Sequence, residues 1–178
     1  MEEKTIDSGR VNMISCVVFC IVFALVLLPF FYILNDGFEE ATVKYPTYWF
    51  IIAMFVAIVI HELIHGICFA LFVKNGFKSV HFGVKWKALT PYCHCTESLN
   101  ANQYRITLLM PTIILGIIPT IIAYIINDYS TVLFGCVMIA AGTGDFFSIW
   151  LLRGLNKNIL LKDHPEKIGF LIYKEETN

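Results

Sequence analysis

Four apolar runs, each close to the length that crosses a bilayer, constrain this chain more than any other feature. Spanning the hydrocarbon as a helix takes about 20 predominantly apolar residues. Such runs occur at Val11 to Leu34, Trp49 to Val73, Leu108 to Ile126 and Val132 to Leu152. In lipid the backbone polar groups must be satisfied within the segment itself, so lone runs of this length read as helices. The predicted fold class is an all-α membrane protein with four transmembrane helices. Hydrophobic residues make up 57 % of the chain, above the share usual in soluble domains, so lipid is its expected solvent.

Charge placement then orients the spans. Lys4 and Arg10 precede the first run; Lys74, Lys78, Lys85, Lys87 and Arg105 lie between the second and third; Arg153, Lys157, Lys162, Lys167 and Lys174 follow the fourth. The opposite side receives only Lys44. The positive-inside rule therefore puts both termini and the long middle loop in the cytoplasm. The first run is too long for a cleaved leader and lacks a small-residue cleavage site, so it reads as an anchor. A formal net charge of -1 with no long basic run gives no reason to expect nucleic acid as a partner.

The middle loop alternates apolar and polar residues from Phe77 to Lys87, the pattern of a small β-hairpin on the cytoplasmic side between helices 2 and 3. Gly76 and Gly83 are its candidate turn or bulge positions. From Thr90 onward Pro91, Asn100 and Asn102 read as a loop returning to the membrane at Arg105, and the tail has little pattern. The expected organisation is an N-terminal segment with the first helix (1–48), a core (49–155) and a cytoplasmic tail (156–178).

Within the second run stands His61-Glu62-Leu63-Ile64-His65. Positions four apart share a helix face, so both imidazoles can address one ion with Glu62 beside it. Zinc suits two neutral imidazoles plus one further ligand, with the fourth position left for water. Glu62 would take the proton of that water and pass it to a leaving amine. A structural polar cluster is the alternative. It must explain three ionisable groups in one turn, each costing roughly 2.5 to 3.5 kcal/mol at mid-bilayer on the mildest scale.

For the third ligand, Asp145 is the acid of the fourth run, among the small residues Ala141, Gly142, Thr143 and Gly144. His65 lies eight residues before Val73 and Asp145 seven before Leu152. At about 1.5 Å per residue both sit roughly 10 to 12 Å from the cytoplasmic ends of parallel spans, which favours Asp145. Two alternatives stay open: Asp145 pairs with Arg153 or caps a helix break, or the third ligand comes from Cys93, His94 and Cys95 on a re-entrant segment. Cys16, Cys20, Cys68 and Cys136 fall within apolar runs and read as buried packing residues. Pro111 and Pro119 read as sites of kinking or local unwinding, and His81 and His164 as surface histidines.

The elements His61-Glu62-Leu63-Ile64-His65-Gly66, Ala88-Leu89-Thr90-Pro91-Tyr92-Cys93, Tyr104-Arg105-Ile106, Pro111 and Gly144-Asp145 resemble those of a family of small bacterial membrane proteins labelled zincin peptidases. That family is related to intramembrane metalloproteases of the site-2 protease type. The resemblance implies a core of spans two to four with span one added, zinc held by His61, His65 and Asp145, and a strand region after the HExxH that holds substrate extended. Site-2 proteases usually follow the aspartate with glycine; here Phe146 follows.

The expected activity is zinc-dependent hydrolysis of a peptide bond in or near a membrane segment, with Glu62 as general base. Its partners would be a membrane protein or peptide substrate and the lipid bilayer. The expected location is the plasma membrane, as a multi-pass protein. The reading from a different class is a metal-binding membrane protein that does not cut: a sensor, a transporter or a pseudoprotease scaffold.

Overall fold

A computed structural model of the chain describes residues 2–6, 8–34, 47–86, 90–165 and 167–173. Lys44, Lys87, Ala88, Leu89 and Lys174 lie outside the described residues. Mostly helical, it contains four helices long and apolar enough to cross a membrane: Met13–Leu34, Tyr48–Phe72, Ala101–Ile126 and Tyr129–Leu151. Their outward faces carry large apolar side chains, with Leu71 76 % and Ile125 77 % exposed. In water each such residue would forgo about 1.5–3 kcal/mol of burial free energy. Against lipid that cost vanishes.

In chain order the elements begin with β1 (Glu2–Ile6), α1 (Ser8–Leu34) and α2 (Thr47–Phe72). A turn of 3-10 helix, Gly76–Ser79, leads to β2 (Val80–Lys85), β3 (Thr90–Cys95) and β4 (Ser98–Asn100). The third spanning helix comprises α3 (Ala101–Pro111), a π turn (Thr112–Ile117) and α4 (Ile118–Ile126). The fourth comprises α5 (Tyr129–Ala141) and α6 (Thr143–Leu151), and β5 (Leu160–Asp163) and β6 (Ile168–Ile172) follow.

Two sheets accompany the helices, so the purely helical expectation with one hairpin is too simple. β2 pairs antiparallel with β3, Phe82 opposite Cys93. The alternation from Phe77 to Lys87 thus supplies one strand rather than a strand pair, and its partner is the stretch from Thr90 that reads as loop. Gly83 is not the turn. It lies opposite Tyr92, whose ring occupies the space a side chain would take. The second sheet has the order β1-β6-β5-β4, all antiparallel, and it gives structure to the tail.

This sheet gathers the start of α1, the start of α3 and the segment after α6 at one end of the helices. As a result α2 and α5–α6 run in the same direction. Gly169, with φ +133°, sits opposite Thr5; a Cβ there would run into the Lys4 carbonyl, so only glycine lets β1 lie this close. Beneath the sheet, Phe69, Cys95, Leu99, Tyr104, Leu161 and Phe170 belong to one buried cluster. A second cluster, Leu27, Phe30, Phe31, Ala123 and Val132, fastens α1 to α4 and α5.

The third helix starts seven residues before the expected Leu108. Asn100 accepts the Gln103 N–H at 2.9 Å while the Gln103 side chain accepts the Asn100 N–H at 3.0 Å, a capping box that converts the predicted loop into a helix start. Pro111 lacks the N–H that a regular turn requires, and the π turn begins directly after it. Pro119 then falls in the first turn of α4, where a missing N–H costs nothing. Cys68 and Cys136 are buried, whereas Cys16 and Cys20 face outward from α1.

Candidate metal centre

The 3.6-residue period puts His61 and His65 one turn apart on α2, with ring centroids 4.9 Å apart and both residues buried. Asp145 enters from the first turn of α6, just past the break at Gly142. Its Oδ2 lies 3.2 Å from His61 Nε2 and its Oδ1 3.4 Å from His65 Nε2. Ligand atoms of the three residues all lie within 4.8 Å of one another. His61, His65 and Asp145 therefore form a group that could hold one metal ion.

Two observations test the fit. His65 Nδ1 donates to the Thr107 carbonyl at 2.9 Å; because a carbonyl only accepts, this fixes the tautomer and directs the Nε2 lone pair at Asp145. A hydrogen bond from that Nε2 to the carboxylate would need a second ring proton, a demand that a divalent cation in the same place removes. Two ligands at about 2.0–2.1 Å from a tetrahedral ion also stand about 3.3–3.4 Å apart. The two nitrogen–oxygen separations lie close to that edge, so the chemistry of the donor set suits zinc.

Glu62 is beside this group, and its carboxylate accepts a hydrogen bond from the backbone N–H of Cys93. That contact follows from strand parity. Thr96 N–H bonds to the Ser79 carbonyl, and hydrogen-bonded pairs alternate along an antiparallel ladder. The Phe82–Cys93 pair is thus a non-bonded one, and Cys93 turns its N–H and C=O away from β2. β3 presents its free backbone edge to the site.

A cavity of about 750 Å³ holds His61, Glu62, His65 and Asp145. β3 lines this cavity, as do Thr5, Ile6 and Ile168. The alternative donor set is dispersed. Cys95 is fully buried in the apolar cluster, and His94 Nδ1 bonds to Asp163 Oδ2 at 2.8 Å. Burial pushes the Cys93 and Cys95 thiols above their ordinary range, which keeps them neutral. Nor does Asp145 pair with Arg153, whose guanidinium stacks 3.8 Å above the Trp150 ring.

Sequence reasoning missed two features of this cavity. One is the Thr107 carbonyl, which leaves no signal because any residue carries one. The other is the chain Tyr104–Asp163–His94, whose members stand 59 and 69 positions apart and share no local motif. His164, read as a surface histidine, also lines the cavity and accepts the Lys167 N–H through Nδ1 at 2.9 Å.

Fold and site together define a mostly helical protein, built for a membrane, that gathers side chains able to hold a metal ion. The chain belongs to the family described as "Putative zincin peptidase", which matches residues 54–160. No curated protein and no solved structure matches the chain.

Proposed function

We propose that this protein is a zinc-dependent intramembrane peptidase that hydrolyses a peptide bond in or next to a membrane segment. The observation that carries the reading is the convergence of His61, His65 and Asp145 beside Glu62 in one cavity, among helices of membrane-spanning length. Family membership supports the zinc peptidase class. The surplus of Lys and Arg at the sheet end supports a cytoplasmic mouth, with both termini inside and the chain in the plasma membrane.

In this reading His61, His65 and Asp145 hold the ion. Zinc, when bound, lowers the pKa of a coordinated water and polarises a carbonyl oxygen. Glu62 accepts a proton as the water oxygen bonds to the scissile carbon, then delivers it to the amide nitrogen as the carbon–nitrogen bond breaks. The Cys93 N–H holds the Glu62 carboxylate at that position. The remaining free edge of β3, including the Cys93 and Pro91 carbonyls, is placed to pair with an extended peptide. Pro91 has no N–H to offer, so donors there must come from the substrate.

The test uses the purified full chain in micelles with fluorescence-quenched apolar peptides. We expect one zinc per chain for the wild type and for Glu62→Gln, with cleavage reduced about 10²- to 10⁴-fold in the variant, the range of general acid–base catalysis. Cleavage by Glu62→Gln at the wild-type rate would overturn the mechanism. Zinc binding without any cleavage by the wild type would leave a metal-binding protein that does not cut.

A further inference from the structure

Beyond the four residues of the metal centre, the cavity contains a second polar assembly. Tyr104, 2 % exposed on α3, donates its hydroxyl proton to Asp163 Oδ1 at 2.6 Å. Asp163, at the end of β5, accepts with its other oxygen from His94 Nδ1 at 2.8 Å. All three line the same cavity as Glu62. His94 follows Cys93 directly, so its backbone is one residue from the amide that holds the Glu62 carboxylate. A buried chain of this kind sets the imidazole rigidly. Its Nδ1 is committed to Asp163, and among the described residues Nε2 has no hydrogen-bond partner.

We propose that His94 is a further catalytic residue, one whose Nε2–H binds the carbonyl oxygen of the scissile peptide as it becomes an oxyanion, while Asp163 and Tyr104 act as positioning residues. This rests on the peptidase reading above. Attack of water on the carbonyl carbon moves an electron pair onto oxygen, and a preorganised donor at that oxygen stabilises the developing charge. His94 donates from Nε2 when its ring carries both protons, with Nδ1–H directed to Asp163. It keeps its proton throughout, since the proton lost by water travels through Glu62 to the amine. The arrangement divides the labour: Glu62 handles the proton and His94 the charge. Asp163 holds the ring in the same manner that the Thr107 carbonyl holds His65.

The experiment compares two zinc-directed probes on the zinc-loaded full chain by equilibrium competition. One is a phosphinic dipeptide analogue with apolar side chains, whose tetrahedral P–O⁻ stands in for the oxyanion. The other is the same scaffold with a thiol, which binds zinc through sulfur and has no such oxygen. For His94→Ala we expect phosphinate affinity to fall about 100-fold, the size of one lost oxyanion donor, with thiol affinity and zinc content unchanged. His94→Gln, which keeps an N–H donor and a similar volume, should recover part of the loss. Asp163→Asn should weaken the phosphinate selectively and by less. Equal losses for both probes would make His94 a structural residue, and no loss for either would remove it from the site; both outcomes overturn the inference and leave the peptidase reading standing. A wild-type chain that binds no zinc, or neither probe, would instead overturn the peptidase reading, and this inference with it.

Discussion

Thr107 enters the candidate centre through its backbone, and that decides which substitutions there should matter. Its carbonyl accepts from His65, whereas its hydroxyl bonds to the Gln103 carbonyl within the same helix. Thr107→Val should therefore keep zinc affinity within about threefold, while Asp145→Asn should lose more than the roughly 10- to 100-fold typical of an outer partner. Competition with a chelator measures both. Equal losses would mean that the Thr107 side chain, and not its carbonyl, supports the centre. At this scale the sequence was informative wherever spacing carries geometry: His61, Glu62 and His65 follow from the helical period, and Asp145 from counting rise along parallel spans. Asp163 could not be found in that way, because its partners lie on β3 and α3, joined to it only by the fold.

Elements differ in how much of themselves a local stretch of sequence contains. A spanning helix carries its own hydrogen bonds and its own apolar run, so all four were legible to within a few residues, except where the Asn100–Gln103 box lengthened the third. A strand of four to six residues takes half its definition from a partner, and β1 finds that partner on β6, more than 160 positions away. The β2–β3 pair lies against α2 because Gly66 has no side chain; a Cβ there would enter the Phe82 ring. Gly66→Val should push the half-exposed Phe82 ring off the helix face, costing about 1 kcal/mol of stability, the low end of what overpacking does. Denaturation in micelles would measure it, and a variant as stable as wild type would argue against this packing.

The turn that launches the hairpin has its own chemical control. Glu97 accepts from the Ser79 hydroxyl and from the Lys74 and Asn75 amides, and these bonds, Ser79 first, hold its carboxyl below the ordinary 4.5. A lowered folded value means that the carboxylate supports the turn at every pH above about 4.5 and stops doing so as pH falls through that lower value. The Lys74 and Asn75 amide resonances should therefore titrate with a midpoint below 4.5. A midpoint at or above 4.5 would contradict the assignment.

For the whole molecule, the four-stranded sheet makes a statement about sidedness that charge counting reaches separately. Pairing of β1 with β6, and of β4 with β5, requires the N-terminal strand, the segment before α3 and the segment after α6 to share one side of the membrane. Fluorescent-protein fusions at either end should glow and alkaline phosphatase fusions at either end should be inactive, as expected for cytoplasmic ends. Ends reporting from opposite sides would be incompatible with the sheet.

The same pairing sets a schedule for biosynthesis. Residues 2–6 leave the ribosome ahead of the four described spans, yet their partner strand is made only after those spans have been translated. Until then the HExxH helix exists without the cavity wall that Ile6 and Ile168 help to form. A nascent chain stalled before Leu160 would possess His61, His65 and Asp145 and lack the enclosure, so on the proposed reading competence to process a peptide waits for β5 and β6.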